Sequence, residues 1–156
     1  MGNSQGQLIY ALRCRFPAML PRECLIMQAW LREHEAEYDS FTFELLVGAG
    51  ADPGPRWDEA LRRMWIHNTK KRIDAVAYRA GRPTLIEVKY HAGASAVGQL
   101  LTYRPLYERE YPEQGAPRLM LLTNSLQTDI LPVLEQHGID LQVQPVDFSV
   151  LADRRR

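Results

Sequence analysis

Apolar positions change period several times along the chain, and each change marks an element. Leu25, Ile26, Ala29, Trp30 and Glu33 recur at helical spacing after Pro21, which predicts an amphipathic helix over 21–37 with the proline in its first turn. Phe41, Phe43, Leu45 and Val47 then alternate with Thr42, Glu44 and Leu46, the period of a half-buried strand. The run GAGADPGP over 48–55 is a breaker and predicts a loop, and 57–66 carries no decisive period. RIDAVAYR (72–79) alternates again, Ala80-Gly81-Arg82-Pro83 reads as a turn, and TLIEVKY (84–90) as the strand returning from it, so the two form a hairpin. His91-Ala92-Gly93-Ala94 breaks the strand, and 95–110 reads as a helix in which Pro105 is the place for a kink. RLMLLT (118–123) is a continuous apolar run, the mark of a strand covered on both faces. A helix over 126–137, stopped by Gly138, and a strand over 139–146 complete the order. That order predicts an α/β fold, a central mixed sheet flanked by helices.

Composition adds bounds more than identity. The 156 residues suffice for a single domain with a real core, expected over 1–156 with its centre in about 21–146. Lys+Arg and Asp+Glu both number 19, so net charge gives no support to nucleic-acid binding. Local clusters do: Thr69-Lys70-Lys71-Arg72, Arg62-Arg63 and Arg154-Arg155-Arg156. The alternative for each is a solvated face or tail. Two cysteines, Cys14 and Cys24, are too few for a disulfide framework and have no zinc spacing, so reduced thiols in a cytoplasmic protein are expected. Arg13, Arg15 and Arg22 interrupt the early apolar residues, which argues against a signal peptide, and no apolar run is long enough to cross a membrane.

The chemistry lies in the hairpin. Asp74 and Glu87 are each embedded in an apolar strand, and Lys89 follows Glu87 by two, on the same face. Ionised groups in such places are costly to bury unless paired or bound to metal. Two carboxylates and an ammonium gathered on neighbouring strands make a small divalent-metal site beside a cation, which suits phosphodiester cleavage. Ordinary alternation with a cross-strand Asp74–Lys89 ion pair is the competing reading. Gln99 and Tyr103, four apart on the next helix, lie on one helix face.

With helix, hairpin, Asp74 … Glu87-Val88-Lys89 and then Gly98-Gln99-Leu100 … Tyr103 on the following helix, the chain resembles the PD-(D/E)XK phosphodiesterase superfamily over roughly 21–123. Ile73 stands where the superfamily's name implies proline. The resemblance implies a restriction-endonuclease-like core and a metal-dependent deoxyribonuclease, of phage or mobile-element recombination or of repair. Asp74 and Glu87 would hold Mg²⁺, with Mn²⁺ able to substitute, and the Val88 carbonyl would join them while its side chain points into the core. Lys89 would orient or deprotonate water or stabilise developing charge. Gln99 and Tyr103 would bind that water or a phosphate. A first-helix glutamate also belongs to the pattern; Glu23, in the first turn, is preferred over Glu33. Glu44 reads as an exposed residue. DNA is the implied partner, contacted by Lys70, Lys71, Arg72 and His91, and a homodimer is an implied assembly. The alternative is a catalytically inactive nucleic-acid-binding or protein-interaction domain on the same fold.

Overall fold

A computed structural model describes Phe16 and residues 18–151. Cys14, Arg13, Arg15 and Arg154-Arg155-Arg156 lie outside the described residues. Helix α1 (Pro21–His34) is followed by strand β1 (Ser40–Val47), helix α2 (Glu59–Thr69), strands β2 (Lys71–Arg79) and β3 (Arg82–Ala92), and helix α3 (Ala94–Glu110). Strand β4 (Arg118–Leu126), helix α4 (Leu131–Gln136) and strand β5 (Ile139–Val143) close the order. The five strands lie side by side in sequence order. β1–β2 and β2–β3 pair antiparallel, while β3–β4 and β4–β5 pair parallel, so the sheet is mixed. The parallel steps require crossovers, which α3 and α4 supply.

One core lies on each face of the sheet. Leu25, Ile26, Met27, Trp30 and Leu31 of α1 pack on Ala75, Ala77, Ile86, Val88, Met120 and Leu122. On the other face Ala96, Val97, Leu100, Tyr103 and Tyr107 of α3, with Leu134 of α4, cover Val47, Ile73, Val76, Leu85, Leu119 and Leu121. Each fully buried aliphatic side chain contributes about 1.5–3 kcal/mol. With both faces covered, β4 reads as the unbroken apolar run that its sequence shows.

Several boundaries differ from those expected. α1 stops at His34 and a 3₁₀ turn takes Glu35–Glu37. β3 continues through His91 to Ala92 because β4 extends beside it, pairing Ser125 with His91 and Leu126 with Ala92. The helix expected over 126–137 is therefore only Leu131–Gln136, after a 3₁₀ turn at Thr128–Ile130. Gly138 does end it, at φ 61°. β5 stops at Val143. α3 is helical on both sides of Pro105.

The undecided segment is helix α2, started by an Asp58 side chain that accepts from Leu61 N–H at 3.0 Å. It has no buried residue; Leu61, Met64 and Trp65 are exposed, and Trp57 stacks on Trp65 at 6.4 Å between ring centroids. Among the described residues no helix is long and apolar enough to cross a membrane.

β1 departs from simple alternation. Phe41 and Phe43 pack towards α1, yet Val47 belongs to the opposite core with Leu45 against it. In β2, Ala75 faces α1 and Ile73 faces α3. Phe43 pairs with Ala75 and Leu45 with Ile73, and between these pairs Glu44 stands opposite Asp74. Glu44 has φ 54°, the left-handed region, which costs a non-glycine residue roughly 1–2 kcal/mol. Its Oε1 accepts from Ala18 N–H at 2.7 Å, tying the segment before α1 to this turn-over point. Both strands thus change face where Asp74 sits.

Candidate metal-dependent active site

Asp74, Glu87 and Lys89 come together where β2 and β3 emerge from the hairpin ladder. Ala75 pairs with Ile86, and Asp74 and Glu87 are the next residues on the two strands beyond that pair. Asp74 Oδ2 accepts from Val88 N–H at 2.8 Å. The Val88 side chain is fully buried among the α1-side residues. Glu87 is 1% exposed. Its Oε1 lies 3.0 Å from Lys89 Nζ, and among the described residues its buried Oε2 has no hydrogen-bond partner.

α3 supplies the next residues. Leu100 and Tyr107 anchor it in the core, which turns Tyr103 towards Glu87. Gln99 Nε2 donates to the Tyr103 hydroxyl at 3.2 Å. Gln99, Tyr103, Ser95, Gly98 and Thr102 line a cavity of about 330 Å³ with Lys71 at its other wall. On the opposite flank, Glu23, Arg22, Leu20 and Tyr90 line a larger space of about 450 Å³, with the Arg22 guanidinium 4.4 Å from the centre of the Tyr90 ring.

The electrostatics follow from burial and proximity. Burial first, and the Glu87 charge second, push Asp74 up to about 8. Burial also raises Glu87, against the opposing pull of Lys89. Lys89 is lowered by burial, but Glu87 beside it more than restores the charged form, so its pKa stands above the ordinary lysine value. Glu23 is raised by burial, opposed by Lys89 and by its hydrogen bond from Leu20 N–H at 3.3 Å.

The buried Glu87 carboxylate, with its unpartnered oxygen, and the half-buried Asp74 carboxylate that it repels form a donor set of hard oxygens that fits a divalent cation such as Mg²⁺. Among the described residues no group of three or more His, Cys, Asp and Glu side chains is arranged to hold a metal. Glu23 acts on Asp74, Glu87 and Lys89 through its charge without joining them in such a cluster. Glu33 is exposed at the other end of α1, where its Oε1 accepts from Gln144 at 3.3 Å.

The remaining sequence candidates occupy the margins. Lys71 and Arg72 open β2 and are exposed, and Lys70 caps the end of α2. His91 is exposed, with Nδ1 2.8 Å from the Ser125 hydroxyl. Glu44, read from sequence as a plain exposed residue, is half-buried and acts with Glu23 and Asp74 on the buried Cys24, raising its thiol pKa after the larger effect of burial. No sequence signal marks this, because a left-handed glutamate has no compositional signature.

Metal-free protein is expected to lose stability as pH rises. Between about pH 4 and pH 8 folded Asp74 keeps a proton that the unfolded chain has released. Unfolding therefore sheds a proton, and stability falls with pH across that window. In EDTA the melting temperature should fall from about pH 5 to about pH 8, and Asp74→Asn should flatten the profile. An equally steep fall in that variant would assign the effect to other groups.

The sequence matches no family profile and no curated relative. The fold does match solved structures. A repair endonuclease from Pyrococcus abyssi superposes with a TM-score of 0.56 at 16% identity, over 83% of this chain and 50% of that one. The EndoMS–dsDNA2 complex gives 0.51 at 17%, over 83% and 47%. A protein of unknown function, AF1548, gives 0.51 at 18%, over 77% and 56%. The chain thus spans about half the length of these structures, and it shares their fold, a five-stranded mixed sheet flanked by helices.

Proposed function

We propose that the protein is a Mg²⁺-dependent deoxyribonuclease. The observation that carries this reading is the buried Glu87 carboxylate, its Oε2 without a partner, set against Asp74 and beside Lys89. A structural ion pair needs one carboxylate for one ammonium; the second acid beside it has no such purpose. Asp74, Glu87 and the Val88 carbonyl would hold the ion. When bound it would polarise a phosphoryl oxygen and lower the pKa of water.

The chain's own groups do the rest. Lys89 keeps its proton, is fixed by Glu87 and is 27% exposed, so its ammonium can meet a phosphate oxygen that gains charge. Tyr103, held by Gln99, presents a neutral hydroxyl at the edge of the 330 Å³ cavity, where it can orient water or a backbone phosphate. The cavities on either side of the carboxylates offer a path for a strand. DNA is favoured as substrate by the neighbours with the same fold, a repair endonuclease and an EndoMS–dsDNA2 complex. A place in repair, or in phage or mobile-element recombination, and Mn²⁺ in place of Mg²⁺ belong to the same proposal. So does a homodimer, because two copies would bring one site to each strand of a duplex.

The test is cleavage of linear, circular, single-stranded and branched DNA with Mg²⁺, Mn²⁺ or EDTA. Metal-dependent cutting of any of these supports the reading. Tight DNA binding without cutting in either metal would favour the inactive binding domain instead.

Lys70 and Lys71 should carry affinity. Converting both to alanine is expected to weaken DNA binding uniformly across sequences and to lower the log–log salt slope by about one unit per lost phosphate contact. An unchanged slope would show that this run is only a solvated surface.

A further inference from the structure

At the end of the sheet remote from Asp74 and Glu87, three guanidinium groups share one cavity. Arg79, Arg82 and Arg118, with Tyr38, Thr84 and Asp140, line a space of about 190 Å³. The fold brings them together by register. The two-residue turn Ala80-Gly81, with φ of 49° and 74°, sets Arg79 directly opposite Arg82. Thr84, two residues further along β3, pairs with Arg118 of β4. Alternation therefore puts Arg82, Thr84 and Arg118 on the face that carries Ile86 and Met120.

Like charges placed directly across a strand pair are destabilising. Among the described residues none of the three arginines forms a salt bridge. Asp39 Oδ2 accepts from Ala80 N–H at 2.8 Å and so is engaged by the turn. Asp140 lines the cavity, one negative charge against three positive ones. After the larger effect of burial, Glu37, Arg79, Asp140 and Arg118 all lie near enough to the Tyr38 hydroxyl to act on its ionisation, which places that hydroxyl beside the cluster.

Guanidinium forks donate paired hydrogen bonds with the geometry of phosphate oxygens, and the Tyr38 and Thr84 hydroxyls add further donors. The space is smaller than the roughly 300–1,000 Å³ of a drug-sized ligand site, so it suits a small anion. We infer that Arg79, Arg82 and Arg118 form a second site that binds a phosphate group, apart from the cleavage site. Arg79 lies five positions beyond Asp74 on β2, about 16 Å along the strand. The phosphate could come from a free phosphate or phosphomonoester, or from the backbone of bound DNA.

The test is thermal unfolding of the full chain in EDTA, with inorganic phosphate titrated against sodium chloride of matched ionic strength. The wild type should show a saturable rise in Tm, as any ligand of the folded state gives. Arg79→Gln/Arg82→Gln should start with a Tm equal to or above the wild type, because the cross-strand repulsion is relieved, and should then gain nothing from phosphate. Arg118→Gln should weaken the apparent phosphate affinity by about tenfold, the loss of one charge-assisted hydrogen bond. Failure of the wild type to saturate, or an equal rise in the double variant, would overturn the site. DNA affinity in EDTA separates the two sources. A double variant that binds duplex as the wild type does identifies a free phosphate ligand; weakened binding with phosphate as competitor identifies the DNA backbone. Neither readout needs cleavage, so the inference stands or falls apart from the proposed activity.

Discussion

Asp74→Asn and Glu87→Gln are each expected to abolish metal-dependent cleavage and, in EDTA near pH 8, to raise the melting temperature. The two effects share one cause. Glu87 is buried and Asp74 half-buried, they repel each other, and withdrawal from water raises the pKa of each. Neutral amides of the same shape remove the repulsion and the desolvation of charge. The amide that replaces the Asp74 carboxylate can still accept from Val88 N–H through its carbonyl oxygen, so the strand contact survives. The lost ligand removes several kcal/mol of charge stabilisation, on the order of 10³-fold or more in rate. Single-turnover cleavage together with thermal unfolding checks both. A variant that cuts at the wild-type rate is not a ligand, and one that is inactive but also strongly destabilised would place the acid in the architecture instead.

Lys89→Ala is expected to lower the single-turnover rate by about 10²–10³-fold while leaving DNA affinity in Ca²⁺ nearly unchanged. The ammonium lies 3.0 Å from Glu87 Oε1 and reaches the surface beside the carboxylates. There it meets charge that grows only as the phosphoryl group reacts, and such an interaction shows in rate rather than in binding. Lys89→Arg should recover little, since a planar fork does not replace a compact ammonium in a tight site. Equal losses of affinity and rate would make the lysine a phosphate clamp.

The hairpin and its acids were legible in the sequence for a physical reason. An acid inside an apolar strand stands out against a period of two, and Ala80-Gly81 marks where the chain returns. The same logic explains what was missed. Phe41, Phe43, Leu45 and Val47 look like one face of one strand, yet the left-handed turn at Glu44 sends the first pair to the α1 core and leaves the second pair in the α3 core. Periodicity counts residues and assumes an unbroken backbone, so it cannot register that reversal. α2 escaped for the opposite reason: no buried face imposes a period on it. Strand β4 outran its apolar stretch because Ser125 and Leu126 pair with His91 and Ala92, a partnership that composition does not announce. Arg79, Arg82 and Arg118 lie far apart in the chain or across a turn, and only strand register gathers them.

Helix α2 sits in the excursion between two strands that pair directly with each other. Ala51 N–H donates to the Thr69 hydroxyl at 2.6 Å, closing the base of that excursion, and Gly48 N–H donates to Glu110 Oε1 at 2.5 Å. Because α2 buries no side chain, melting it uncovers little of either core. It is therefore expected to form a separate unit of opening, whose amides should exchange with solvent through local fluctuation while those of β2 and β3 wait for global unfolding. Substitutions on its exposed face should accordingly register in the exchange of α2 itself and scarcely in the midpoint of the cooperative transition.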